Sequence, residues 1–293
     1  MKNILVIGSI SIDNTVFTSE LSKPGETTIA DSYISNVGGK GANQACAAHF
    51  LGAKVFFYGA VGNDDNGHRV IKFLKDKGLP FCIKDSKAPT GVAFITINKK
   101  NAENSIYIVT GANEDILVDN IKEHDELFTK NDIFLTQFEY PIETVEYSIK
   151  KAKEKGMFVI VNPAPAKVIH DEIYHCIDIL VPNEHELVTL SSENDLNKGI
   201  EILHKKGAKQ IIVTLGEKGS FYHSEKESFK VEPVKVNAID TTAAGDSYLG
   251  ALAFRLSQGK SIKEAMEFAS RCSAITVSRE GAIIALPHKS DIM

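Results

Sequence analysis

Ile4-Leu5-Val6-Ile7-Gly8 decides the fold of this chain. Four apolar residues in succession, without the alternation of a half-solvated strand, read as a strand buried on both faces. That is the condition of a parallel sheet covered by helices on each side. Working outward, similar runs stand at Val55 to Tyr58, Ile133 to Thr136, Phe158 to Val161, Ile177 to Val181 and Ile211 to Leu215. Helical patterns separate them at Ala42 to Phe50, Asp65 to Lys77, Ile142 to Lys155, Glu184 to Leu190 and Leu196 to Lys206. Strands alternating with helices build βαβ units, so the expected class is α/β, a three-layer αβα sandwich.

Three segments depart from that rhythm. Thr15 to Phe17, Ala30 to Val37 and Thr90 to Val109 are β-rich but lack crossover helices. In the last, Gly91 to Ile97 and Ser105 to Val109 flank a polar turn, Asn98 to Asn104, in a hairpin pattern. The expectation is a small inserted β-sheet, a discontinuous lid from roughly 14–17, 30–37 and 90–109, over the carboxyl edge of the main sheet. The simpler alternative makes these strands the periphery of one sheet. After Val236 the pattern turns helical, at Gly245 to Ser257 and Ile262 to Val277. With no internal repeat, low-complexity tract or flexible linker, residues 1–293 read as a single α/β domain.

Composition narrows the function. Of 293 residues 43% are hydrophobic and 24% charged, which excludes a disordered or collagen-like chain. The net charge of -5 argues against a protein that coats nucleic acid or an anionic membrane, since both need a basic face. The opening apolar run is too short for an export signal, and no run approaches the ~20 residues of a membrane span, so a cytoplasmic protein is expected. Cys46, Cys82, Cys176 and Cys272 lie far apart, without metal-ligand spacing, and read as reduced thiols.

Four constellations carry possible chemistry. Asp240-Thr241-Thr242-Ala243-Ala244-Gly245-Asp246 leads into an amphipathic helix. Its small residues leave N–H groups uncovered at a helix start, where the unpaired donors and the dipole favour an anion. Asp246 falls in the first turn, placed to accept the proton of a hydroxyl attacking a phosphoryl group, or else merely to cap the helix. Gly38-Gly39-Lys40-Gly41-Ala42-Asn43 brings backbone close to a ligand beside one positive charge, or is an empty glycine turn. It fits neither a Walker A loop nor a dinucleotide fingerprint, where Gln44 occupies the last glycine position. Asn183 and Glu186 share a helical face and suit hydrated Mg2+ or, equally simply, a capping box. Thr214-Leu215-Gly216-Glu217-Lys218-Gly219 closes a strand with a turn that meets phosphates or is an ordinary hairpin. Gly62 to Gly67 has a calcium-loop look but lacks the later glutamate, and Asp64 reads as a helix cap. No Gly-x-Ser-x-Gly elbow is present.

In this order, Gly38 to Asn43, Asn183-x-x-Glu186 and Asp240 to Asp246 resemble the ribokinase-like (PfkB) sugar kinases, over nearly the whole chain. Gly8-Ser9-Ile10, Pro24-Gly25-Glu26, Gly111-Ala112-Asn113 and Asn162-Pro163-Ala164-Pro165-Ala166 add to the likeness. The resemblance implies phosphoryl transfer from ATP to the O5 hydroxyl of ribose, on a sandwich whose β-lid also clasps a homodimer. It implies Asp246 as the base and the N–H groups of Ala243, Ala244, Gly245 and Asp246 as the anion hole. The sugar would meet Ser11, Asp13, Gly39, Lys40, Gly41, Ala42, Asn43 and Glu139. The nucleotide would meet Asn183, Thr214 to Gly219 and Ser270, with Glu186 ordering Mg2+ through water. K+ would lie by Asp240, Thr242, Thr276, Arg279, Gly281 and Ala285, several of them through carbonyl groups.

Three departures from the family pattern matter. Ser11 stands where Asn is common, which opens the site to 2-deoxyribose, a nucleoside or another small sugar. Ser270 replaces a His or Asn beside adenine, and Ala285 replaces a serine that closes the K+ site. A sugar-binding protein without catalysis is the remaining alternative, opposed by the presence of Gly245 and Asp246.

Overall fold

The computed structural model describes residues 1–23, 25–100 and 104–292. The chain begins β1 (Ile4–Ile7), β2 (Ser11–Thr18), β3 (Ser32–Gly38), α1 (Lys40–Phe50), β4 (Val55–Gly62), α2 (Asp65–Asp76), β5 (Phe81–Ser86), β6 (Val92–Asn98) and β7 (Asn104–Val109). It continues through α3 (Val118–Lys122), β8 (Ile133–Thr136), α4 (Ile142–Glu154), β9 (Phe158–Val161), α5 (Asp171–Tyr174), β10 (Ile179–Leu180), α6 (Glu184–Ser191), α7 (Leu196–Lys205) and β11 (Gln210–Thr214). It closes with β12 (Ser220–Ser224), β13 (Ser228–Val231), α8 (Ala244–Ser257), α9 (Ile262–Val277) and α10 (Lys289–Ile292).

Nine strands form the main sheet in the order β13-β12-β11-β10-β9-β8-β1-β4-β5. Every pairing from β5 to β11 is parallel, and only β12 and β13 run antiparallel. The apolar run of β1 is explained by its two neighbours and two layers. Ile4 and Val6 enter one core with α1, α8 and α9, while Leu5 and Ile7 enter the other with α4, α6 and α7. The strand order reverses at β1, since β4 and β5 lie on one side of it and β8 to β11 on the other. In such sheets the crevice at the carboxyl ends of the two diverging strands is the natural ligand site.

The inserted segments form a separate sheet, β3-β2-β6-β7, as the hairpin pattern required. Within it β2 pairs antiparallel with β3 and parallel with β6, and β6 pairs antiparallel with β7. The turn expected at Asn98 to Asn104 falls partly outside the described residues, and so does Pro24 of the Pro24-Gly25-Glu26 motif.

Helices α1 and α8 pack together through small residues. A Cβ at Gly250 would lie 2.5 Å from the Ala47 Cβ and 2.7 Å from the Gln44 carbonyl oxygen. Only glycine permits that approach, which brings the first turns of the two helices together over the β1/β8 crevice. One expected element is adjusted. The strand at Ile177 to Val181 shortens to Ile179–Leu180, because Ile177 closes the turn after α5 by donating to the Tyr174 carbonyl. The strands β5, β12 and β13 were not legible as elements.

Candidate active site

The chain leaves β1 through Gly8 and Ser9 and enters β2 at Ser11. Asn113 fixes that bend by accepting from the Ile10 N–H and donating to the Ile10 carbonyl, both at 2.9 Å. Helix α1 starts directly on the bend: a Cβ at Gly41 would sit 2.5 Å from the Gly8 carbonyl carbon. The Gly41 N–H donates to Ser9 Oγ, and Ser9 Oγ donates to Glu139, which also accepts from the Lys40 N–H at 3.1 Å. Ser9, Lys40 and Glu139 thereby tie the ends of β1 and β8 to the start of α1.

Asp13 projects from β2 of the small sheet into the same crevice, where Ser11 Oγ donates to its Oδ1 at 2.7 Å. Burial raises its pKa to about 6; the nearby Glu139 and Asp246 carboxylates push the same way, against the Ser11 hydroxyl and Lys40. Burial also works against the Lys40 ammonium, but the summed attraction of Asp246, Glu139, Glu186 and Asp13 outweighs it and raises the lysine pKa. Among the described residues the ammonium has no hydrogen-bond or ion-pair partner, so one positive charge faces four carboxylates without being committed to any.

Asp246 is buried in the first turn of α8. Its Oδ2 accepts from Asn43 Nδ2 and its Oδ1 from Gln44 Nε2, both at 2.9 Å. The carboxylate is thus turned across to α1 and does not cap its own helix. The N-cap residue is Ala243, in the left-handed conformation at φ 58° and without a side-chain cap. Among the described residues no acceptor receives the Gly245 or Asp246 N–H, and nothing beyond its chain neighbours and its own helix backbone lies within 4 Å of where a Gly245 Cβ would be. Two open donors, a helix dipole and free space make an anion cradle one residue from a carboxylate. The buried Asn43 Oδ1 also lacks a partner among the described residues, which leaves an acceptor for a ligand hydroxyl.

Two further groups flank this center. Asn183 and Glu186 do form the capping box of α6: Asn183 Oδ1 accepts the Glu186 N–H, and Glu186 accepts the Asn183 N–H, each at 2.8 Å. Burial raises the Glu186 pKa, against the Asn183 N–H and the Lys40 charge from across the crevice. Asn183 also bridges Thr214 at the end of β11, so the middle motif and the Thr214 to Gly219 turn adjoin. That turn is a hairpin between β11 and β12, closed by the Leu215 N–H on the Gly219 carbonyl at 2.8 Å.

Sequence and structure converge on one family. Residues 1–289 match the family described as pfkB family carbohydrate kinase. The chain belongs to that family. As a pfkB-family carbohydrate kinase it is a phosphotransferase with an alcohol group as acceptor. It is 36% identical to the ribokinase of Haemophilus influenzae, over 100% of this chain and 97% of the relative. It is 35% identical to the deoxyribokinase of Salmonella typhi, over 97% and 95% respectively. Among solved structures, the ribokinase of Thermotoga maritima superposes with a TM-score of 0.91 at 35% identity, covering 100% of this chain and 98% of that one. The Arabidopsis thaliana ribokinase complexed with ribose and ATP gives 0.87 at 31%, covering 99% and 97%.

The remaining expected residues of this kinase lie around the two helix starts. Asp240 is buried, and its two oxygens accept the Thr242 and Gly281 N–H groups at 2.8 and 2.9 Å. Thr276 Oγ1 donates to Ser247 Oγ at 2.8 Å and keeps its lone pairs, the Arg279 side chain turns away to Asp291, and Ala285 is fully buried. Any ion ligand from Arg279 or Ala285 is therefore a carbonyl oxygen. Ser270 lies on α9, one turn before Ser273, whose hydroxyl donates to the Ala244 carbonyl at 3.0 Å. Asp64 caps α2 by accepting the Gly67 N–H at 2.7 Å, which settles the Gly62 to Gly67 loop as a helix start. Gln44, Gln137 and Asn162 were not legible as site residues. The available signal was weak: Gln137 is the first residue past the mostly apolar strand Ile133 to Thr136, at the carboxyl edge where ligands bind.

Proposed function

We propose that the chain transfers the γ-phosphoryl group of ATP to O5 of D-ribose, giving ribose 5-phosphate and ADP. One observation carries the reading: Asp246 and the open N–H groups of Gly245 and Asp246 occupy the same helix turn. A base beside an anion cradle is what phosphoryl transfer to a hydroxyl requires. Asp246 accepts the O5 proton as the oxygen attacks. The Gly245 and Asp246 N–H groups, with that of Ala243, receive the charge of the transferring group; the expected Ala244 N–H is instead held by the Thr241 carbonyl at 3.3 Å, and the Lys40 ammonium adds positive potential. Asp13, Asn43 and Glu139, with the Gly39 to Ala42 backbone, hold the sugar hydroxyls. Asn183, Ser270 and the Thr214 to Gly219 turn hold the nucleotide.

The residues present fit both metal ions of the reading. Each Glu186 oxygen accepts one bond from Asn183 and keeps a lone pair for a water of hydrated Mg2+. Asp240 is a buried carboxylate with no cationic side chain within 4 Å among the described residues, which suits K+. Bound at these places, the ions supply neutralizing charge to the phosphates and to the helix start.

The lid supports a homodimer. On its edge strand β7, Ile106, Tyr107, Ile108 and Val109 are each half or more exposed, next to exposed Phe94 on β6. An apolar edge strand of this kind needs a cover, and a second lid supplies one. Among the described residues no helix is long and apolar enough to cross a membrane. With ATP as donor, the reading places the enzyme in the cytoplasm as a single α/β domain carrying a lid.

A deoxyribose-preferring kinase is the second reading. Its support is Ser11, whose hydroxyl donates to Asp13 and whose side chain is shorter than the Asn common at this place in the family. ADP release measured over ribose, 2-deoxyribose, fructose and a nucleoside decides between them. The highest kcat/KM is expected with ribose; a higher value with 2-deoxyribose would transfer the assignment, and no turnover with any sugar would overturn both.

A further inference from the structure

Behind Asp246 lies a chain of buried carboxamides that the reaction as derived above does not use. Gln44 and Gln137 are both 0% exposed. Gln44 Nε2 donates to Asp246 Oδ1 at 2.9 Å and to Asn162 Oδ1 at 3.2 Å, while its Oε1 accepts from Gln137 Nε2 at 2.6 Å. Both donors of the Gln44 amide and one of its two acceptor positions are thereby assigned. Turning the amide over would set its oxygen against two other oxygens and its NH2 against an NH2, so the network admits one orientation. Asn162 in turn donates to the Val181 carbonyl at 3.0 Å, just before the nucleotide-side residue Asn183.

Gly8 belongs to this arrangement. A Cβ there would fall 2.1 Å from Gln137 Oε1, so the glycine after β1 is what leaves the Gln137 side chain its place. A network that only held the layers together would not need to end on the reacting carboxylate. It also requires burying two carboxamides, Gln44 and Gln137, where apolar side chains would pack.

We infer that Gln44, oriented by Gln137, is a positioning residue that holds the Asp246 carboxylate in the rotamer that accepts the substrate proton. The inference rests on Asp246 being the base. Gln44 does not touch the substrate; it acts by fixing where the Oδ atoms lie, and displacements near 1 Å cost about 100-fold in rate. Asn43 holds the other oxygen, so removing Gln44 frees the carboxylate to rotate about a single remaining bond.

The test is steady-state kinetics on the full-length enzyme, with thermal melting to confirm folding. Gln44→Leu keeps the volume and removes the bonds, and kcat is expected to fall at least ~10-fold while the ribose KM stays within about threefold. Gln137→Leu is expected to cost less. The double variant should match Gln44→Leu alone, because the two residues act in series. Gln44→Glu keeps the shape and sets a second carboxylate against Asp246. The acidic limb of its kcat–pH profile should move to higher pH, since two adjoining carboxylates cannot both ionize easily.

An unchanged kcat in Gln44→Leu, additive losses in the double variant, or an unmoved acidic limb in Gln44→Glu would overturn the inference. Should Gln44→Leu fail to fold, the Gln44→Glu pH profile decides alone. Asp246→Asn, run alongside, separates the two levels. If it turns over near normally the base assignment is wrong, whereas an inactive Asp246→Asn beside a normal Gln44→Leu rejects only the positioning role.

Discussion

Helices α6 and α8 both begin with an acidic residue in their first turn, and the two starts are built in opposite ways. At α6, Asn183 and Glu186 bond each other's backbone, so the helix satisfies its own donors. At α8, the residue in the same position, Asp246, is drawn across to Asn43 and Gln44, and the N-cap is an alanine with nothing to offer. The N–H groups of Gly245 and Asp246 stay open. A helix start closed by its own side chains contributes stability; one deliberately left open contributes a binding site for charge.

The largest way to break that contrast is to fill the open start. Gly245→Val places a side chain where nothing beyond its chain neighbours and its own helix backbone lies within 4 Å, so the fold should persist while the anion cradle is occupied. Loss of about 100-fold in kcat/KM for ATP is expected, comparable to removing a donor from an oxyanion site. Normal kinetics would mean that phosphate does not enter there.

Asp13 gives an intermediate effect and a pH signature. Its folded pKa of about 6 lies above the ordinary 3.8, so the folded state disfavors its ionization. Stability is therefore lost as pH rises from about 4 to about 6 and does not recover above that. Sugar hydroxyls donating to the carboxylate favor its charged form, so kcat/KM for ribose should fall as pH drops below about 6. Asp13→Asn is expected to lose at least ~10-fold in ribose kcat/KM, roughly the worth of one charge-assisted hydrogen bond. The same variant should melt higher than the parent at pH 7, by a few degrees; a lower melting temperature would contradict the burial cost.

The smallest effect belongs to the closed start. Asn183→Ala removes the cap of α6 and should cost about 1 kcal/mol, or roughly 2–4 °C in melting temperature. Any change in ATP affinity beyond that would come from its contact with the nucleotide. An unchanged melting temperature would show that the capping box carries little stability.

Much of this was legible in the sequence, for physical reasons that differ by region. The run Ile4 to Ile7 could be read because β1 is apolar toward both layers, a pattern that a half-exposed strand cannot imitate. The strands β12 and β13 could not, because Ser220 to Ser224 and Ser228 to Val231 are short and mix polar with aromatic residues at the sheet's antiparallel end. Asp246 stood out because small residues precede it at a helix start. Gln44 and Gln137 did not, since their meaning arises from partners 202 and 93 residues away. Around Asp240, two of the contacts are backbone N–H groups, whose places no side-chain pattern records.

The decisive measurement is turnover and binding in Asp246→Asn. The amide keeps the size of the carboxylate but has lost its capacity to take a proton. Calorimetry should still register ribose and ATP binding, while ribose-dependent ADP release falls at least ~100-fold, the low end of general-base effects. Near-normal ADP release from the folded variant would contradict Asp246 as the base and, with it, the reading of the open helix start as the catalytic center.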